Sequence, residues 1–211
     1  VDMEPRADDL AVAEDDQRRI AFLVAAHGLT SVLRFNRLLD GTRGETSAEH
    51  SWHLATALLL HQHTAPDVDL VDVLAMLLVH DVVEVDAGDV PIYDHAARDA
   101  AVADEEHAAE RLFGLLPPID AERLRECWNS FERADTPEAR FARAVDRFQP
   151  ILVHWAGDGS AWRERQVTVA QERAIVELVA DFWPPLAPLA SALVDDARHR
   201  GMLADQRHRH A

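Results

Sequence analysis

The chain has 211 residues, 48% of them hydrophobic, and its 38 acidic against 21 basic side chains give a formal charge of −17. That length suits one folded unit with a substantial core, and that apolar content excludes a disordered chain. Every basic residue except the histidines is an Arg, and so acidic a balance excludes a nucleic acid polymer as partner, since a phosphate backbone is held by concentrated basic surface. A single small phosphate ester stays open, because it needs only a metal and one or two Arg.

Residues 1–14 are acidic and patternless, and a flexible N-terminus is expected there. From about 16 to 35 the spacing of Ile20, Leu23, Val24, His27, Val32 and Leu33 predicts a helix with Gly28 as its weak point. The run RFNRLLDGTRGETSAEH then carries Arg34, Arg37 and Arg43, with turn signals at Asp40–Gly41 and Gly44. Thr46 with Glu49 three residues on fits a capping box, so a second helix starts at 46 or 47 and runs to about Leu60. His50 falls in its first turn and His53 on nearly the same face.

Asp67 or Asp69 can cap a third helix, whose Val71, Leu74, Ala75, Leu77 and Leu78 leave little polar surface and predict a central position. GDVPIYDHA reads as a loop, followed by a more polar helix from about 94 to 115 that Pro117–Pro118 ends. Another helix spans about 120 to 133. Thr136 and Pro137 then mark a strong start, with Phe141, Val145, Phe148 and Leu152 on one face, Asp146 within, and a kink expected at Pro150. Gly157–Asp158–Gly159 makes a turn, two helices follow near 162–182 and 185–199, and 201–211 is expected to be a disordered tail. With no strand pattern of useful length and no repeat, the fold class is all-α, a compact helical bundle over 15–200.

The chemistry gathers in LVDVLAMLLVHDVVEVDAGD, residues 70–89. His80–Asp81 ends an apolar helix, Glu84, Asp86 and Asp89 follow, and no Lys or Arg lies in the stretch. Buried charge needs a partner, and a metal ion is the economical one. His50, His80, Asp81 and Asp146 offer imidazole nitrogen and carboxylate oxygen, donors suited to Mn²⁺, Co²⁺, Fe²⁺, Ni²⁺ or Zn²⁺, and four such ligands leave two octahedral positions open. The alternative is structural: His50 as a helix-end residue, and Asp146 paired with Arg143 or Arg147. Trp128, Trp155, Trp162 and Trp183 are expected in the core or a subunit contact rather than in a base-stacking box.

The segments ETSAEHSWHLA, LLVHDVVEVDAGD and TPEARFARAVDRFQP, in that order, resemble the HD-domain phosphohydrolases, in particular the bacterial 5′-deoxynucleotidases, over about residues 18–185. The resemblance implies one divalent metal, Mg²⁺ included, held by His50, His80, Asp81 and Asp146. It implies Glu84 as the catalytic acid or base, Asp89 at the sugar hydroxyl, and Arg34 at the 5′-phosphate. The loop to His50 is one residue longer than in those enzymes, so Arg37 and Arg43 stay open for the phosphate role. Phe35 stands where they carry a Trp that helps exclude a 2′-hydroxyl, which loosens the expected preference for deoxyribose. The same likeness implies a homodimer and a nucleoside 5′-monophosphate substrate. A dinuclear iron oxygenase of the same fold, for which His95 and His107 would be the further ligands, and a non-catalytic nucleotide sensor are the alternatives.

Cys127 is alone, so an intrachain disulfide is excluded and a reducing, cytoplasmic compartment is expected. No apolar run approaches the roughly 20 residues of a membrane span, and the acidic start is unlike a signal peptide.

Overall fold

The computed structural model describes residues 11–93 and 95–205. Most of the expected flexible start, residues 1–10, and the end of the expected tail, 206–211, lie outside them.

The architecture is all-α, as expected, with one small departure. Helix α1 spans Glu14–Ala26, and a 3-10 turn, His27–Ser31, follows it. The predicted helix to residue 35 therefore stops early. Gly28 passes so close to Val85 that a Cβ there would meet its Cγ1 at 2.9 Å, and β-branched Thr30 and Val32 favour leaving the helix. The chain then forms two strands, β1 (Leu33–Arg37) and β2 (Gly44–Thr46), paired antiparallel with Leu33 opposite Thr46 and Arg37 opposite Gly44. A register shift between those pairs and the polar content of both strands hide the alternation that marks a strand. Gly41, at φ +69°, turns the hairpin.

Helix α2 (Ser47–His61) begins with the predicted capping box: Thr46 Oγ1 accepts from the Glu49 N–H at 3.2 Å, and Glu49 Oε2 accepts from the Thr46 N–H at 2.9 Å. Asp69 caps α3 (Leu70–Val79) by accepting from the Val71 N–H at 2.8 Å. Four-residue α4 (Glu84–Ala87) leads to Gly88 at φ +79° and the loop before α5 (His95–Phe113). Helix α6 (Pro118–Arg133) and α7 (Pro137–Ala156) follow, the latter capped by Thr136 and opened by Pro137 as predicted.

Helix α7, not α3, is the central one. It buries Ala139, Phe141, Ala144, Val145, Phe148 and Ile151 against α3, α9 and α10, while Val71 and Leu78 of α3 stay exposed. Fully burying a side chain such as Phe148 contributes about 1.5–3 kcal/mol. A second core joins α1, α5 and α6 through Phe22, Leu112, Phe113 and Trp128.

The helix expected over 162–182 divides into α8 (Ser160–Glu164) and α9 (Val169–Phe182), because Thr168 and Gln171 form a second capping box. Helix α10 (Ala187–His199) closes the bundle. Residues 201–205, expected in a disordered tail, instead pack. Met202 and Leu203 are buried in the main core, Ala204 exchanges backbone bonds with Val167 and Val169, and Met202 fills the space that a side chain on Gly159 would need. Three apolar residues, Met202 to Ala204, carry too short a pattern to be read as core. Among the described residues, no helix is long and apolar enough to cross a membrane.

Candidate active site

The hairpin, the segment from the end of α3 into the loop after α4, α5, the end of α6 and the middle of α7 line one cavity, and the first turn of α2 packs behind it through the contact of His50 with Asp146. The capping box sets the start of α2 and so places His50, fully buried, on the helix face that meets α7. Its Nε2 lies 3.0 Å from Asp146 Oδ1, and its Nδ1 lies 3.1 Å from Gln149 Oε1. Gln149 in turn donates to Glu45 Oε1 at 2.8 Å and lies 3.0 Å from His53 Nδ1. With the His50 proton on Nδ1, toward Gln149, the Nε2 lone pair faces Asp146.

His80 caps the end of α3, where its Nδ1 lies 3.1 Å from the Leu77 carbonyl. That contact puts the proton on Nδ1 and leaves Nε2 as a buried lone pair with no hydrogen-bond partner. Nε2 sits 3.0 Å from Asp81 Oδ1 and 3.8 Å from Asp146 Oδ1. One donor atom each from His50, His80 and Asp146 lies within 4.8 Å of the others, the one such group of His, Cys, Asp and Glu among the described residues. Asp81 stands just outside that set, because its Oδ2 turns to Arg34. An orphaned imidazole nitrogen facing two carboxylates is a donor set that a divalent cation fits, since without one the buried lone pair lacks a partner.

Asp146 also receives Arg147 at 3.2 Å, so one of the structural pairings open in the sequence exists beside the metal geometry. Pro150 has no N–H for the Asp146 carbonyl four residues back, which relieves that turn of one helical bond. Burial works against the Asp146 charge, but Arg147 and the two imidazoles outweigh it and hold its carboxyl well below the usual range.

Of Arg34, Arg37 and Arg43, it is Arg34, on β1, that reaches the carboxylates of the cluster. It bonds Asp81 Oδ2 at 2.6 Å and approaches Asp89 Oδ1 at 3.4 Å and Glu84 Oε1 at 3.5 Å. Burial opposes its charge, yet the three carboxylates win and hold its proton more tightly than usual. Arg37 and Arg43, the competitors, pair with Glu164 and Glu49 near the surface. Glu84 accepts from Ser47 Oγ at 2.5 Å, and burial first and Asp81 second raise its carboxyl well above the usual range. Asp89 is raised for the same reasons, while the Phe35 N–H hydrogen-bonds to it and, with Arg34, pulls the other way. Phe35 lines the cavity with the Arg165 guanidinium 4.6 Å from its ring centre.

Other candidates resolve elsewhere. Asp86 is taken by Arg111 on α5, and His107 is exposed. Trp162 and Trp183 are fully buried, and Trp128 nearly so. Sequence reasoning missed Ser47, Glu45, Gln149, Arg98 and Tyr93. Of these, only Gln149, three residues after Asp146 and thus on its helix face, carried a readable signal.

A sequence profile described as HD domain matches residues 26–182. The Homo sapiens 5′-deoxynucleotidase HDDC2 is 27% identical over 142 residues, covering 61% of this chain and 69% of its own length. The 5′-deoxynucleotidase hdd1 of Schizosaccharomyces pombe is 26% identical over 137 residues, covering 63% and 68%. The crystal structure described as a predicted metal-dependent phosphohydrolase from Magnetospirillum magnetotacticum MS-1 superposes with a TM-score of 0.85 at 39% identity, covering 91% of this chain and 100% of that one.

Proposed function

The chain belongs to the HD-domain family and is a metal-dependent phosphohydrolase, and we propose that its substrate is a nucleoside 5′-monophosphate, from which it releases inorganic phosphate. The observation that carries this reading is Arg34. It is a buried guanidinium 2.6 Å from Asp81 and 3.5 Å from Glu84, in a cavity that His80, with its unpartnered Nε2, Phe35 and α7 also line. The likeness to proteins named 5′-deoxynucleotidase agrees with it.

His50, His80, Asp81 and Asp146 would hold one divalent ion. Such an ion supplies Lewis acidity to a phosphoryl group and to water. Arg34 would exchange part of its carboxylate contact for the phosphate, gripping two oxygens with its planar fork. Glu84, steadied by Ser47, would exchange a proton with the attacking water or the departing 5′ oxygen as the P–O bond breaks. Asp89 would accept from a sugar hydroxyl, and the Phe35 ring would bound the sugar. A ring smaller than Trp there lowers discrimination against a 2′-hydroxyl.

Phosphate release from ribo- and deoxynucleoside 5′-mono-, di- and triphosphates tests the reading. The protein is stripped of metal and reloaded with Mn²⁺, Co²⁺, Mg²⁺ or Fe²⁺, with Asp81→Ala as control. Release confined to monophosphates, dependent on added metal and lost in the variant, is the expected result. Silence across the panel with metal bound would overturn it in favour of a sensor, and two metals per chain would point to the dinuclear oxygenase.

A further inference from the structure

Three buried histidines lie on or beside the cavity, and they differ in how their protons are held. His50 is set by Gln149 and His80 by the Leu77 carbonyl. His154, on α7, is only 5% exposed and lines the cavity wall. Its ring packs on Trp162 at 5.0 Å between centroids and meets Phe35 edge-on at 6.3 Å. Among the described residues no hydrogen bond to this ring is present, and burial alone acts on its pKa, lowering it to about 4. It is therefore a neutral imidazole at pH 7, with one donor and one acceptor and neither committed. A polar ring on the cavity wall is placed to bond something that enters the cavity.

Its place along the helix says what that something is. Asp146, Pro150 and His154 recur every four residues on α7, and all three line the cavity. At the helical rise His154 lies about 12 Å along the axis from Asp146. A nucleotide whose phosphate is held by Arg34 near Asp146, and whose ester chain runs past Phe35, would bring its base to the turn that carries His154.

We propose that His154 forms a nucleobase subsite in which the imidazole hydrogen-bonds the base through whichever tautomer the base requires. The inference rests on the nucleoside 5′-monophosphate reading above. A histidine pinned by a protein partner would choose between a keto oxygen and an exocyclic amine. One that is not pinned donates to the first or accepts from the second, so the site demands a base without choosing strongly among bases.

The test compares wild type, His154→Phe and His154→Asn on the four deoxynucleoside 5′-monophosphates and on 2-deoxyribose 5-phosphate, used as substrate or as competitor. Folding is checked by circular dichroism. Wild type is expected to treat the four nucleotides within about ten-fold of one another. The Phe variant, which keeps a ring but no donor or acceptor, is expected to lose about ten-fold in kcat/KM on all four, mostly through KM, with the base-less ester unaffected. The Asn variant, whose amide can donate or accept, is expected to recover most of that loss. Equal loss on the base-less ester, no loss on nucleotides, no recovery with Asn, or a wild type confined to one base would each overturn the subsite. Wild-type activity on the sugar phosphate with none on any nucleotide would instead overturn the nucleotide reading, and this inference with it.

Discussion

His50 Nε2 and Asp146 Oδ1 lie 3.0 Å apart across 96 residues of sequence, so the candidate centre exists only where α2 packs on α7. Asp146→Asn keeps the shape and removes the charge. We expect the bound metal per chain, measured by atomic emission after dialysis, to drop to background. Phosphate release should fall by more than about 100-fold. A variant that retains both would exclude Asp146 as a ligand.

Gln149 is not one of the four candidate ligands, yet its contact with Nδ1 holds the His50 tautomer. Gln149→Leu is expected to weaken Mn²⁺ binding by about 10- to 100-fold. Activity should return at saturating Mn²⁺, because the chemistry downstream of binding is intact. Unchanged affinity in a metal titration would show that the Glu45–Gln149–His50 chain serves packing alone.

Arg34 is the positive partner that Asp81, Glu84 and Asp89 share. Arg34→Ala leaves buried carboxylates uncompensated and is expected to destabilise the metal-free protein by about 3–5 kcal/mol. Added Mn²⁺ should then raise its melting temperature more than it raises that of wild type, since the ion takes over part of the lost positive charge. Arg34→Lys should restore much of the stability but little of the KM, because an ammonium lacks the planar fork. Equal Mn²⁺ responses in wild type and Arg34→Ala would contradict this account.

Glu172 supplies a pH prediction away from the metal. It accepts from Tyr93 and from Trp162, and burial raises its pKa to about 7 from 4.5. The folded state thus holds this proton more tightly than the unfolded state does. The effect is absent below pH 4.5, and stability is lost as pH rises through 7. Glu172→Gln removes that loss and keeps an acceptor for both donors. In urea unfolding at pH 5 and pH 8, the advantage of the Gln variant over wild type should grow by on the order of 3 kcal/mol. An advantage that does not change with pH would place the proton elsewhere.

The helices and their caps were legible because Thr46, Asp69 and Thr136 announce their roles locally, within three residues. The metal-centre candidates came from the resemblance, and the structure brings donor atoms of three of them, His50, His80 and Asp146, within 4.8 Å of one another. What stayed hidden was non-local. The hairpin that carries Arg34 and Phe35 is held by pairing across a bulge, and its polar side chains mask the strand period. Gln149 and Glu45 meet 104 residues apart, a contact no spacing rule anticipates. Residues 201–205 are tied down by Val167, Val169 and a missing side chain at Gly159, none of which is near them in sequence.

Helix α7 carries Asp146, Pro150 and His154, all on the cavity wall, at four-residue intervals along one continuous helix. The three positions are in effect marks on one ruler. Under the proposed function, replacing side chains on the outer turns would change what length and shape of leaving group is accepted, while the inner turn would keep its grip on the reacting end. A lineage built on this scaffold can therefore drift between substrates by editing half a helix, without reassembling the part that does the hydrolysis.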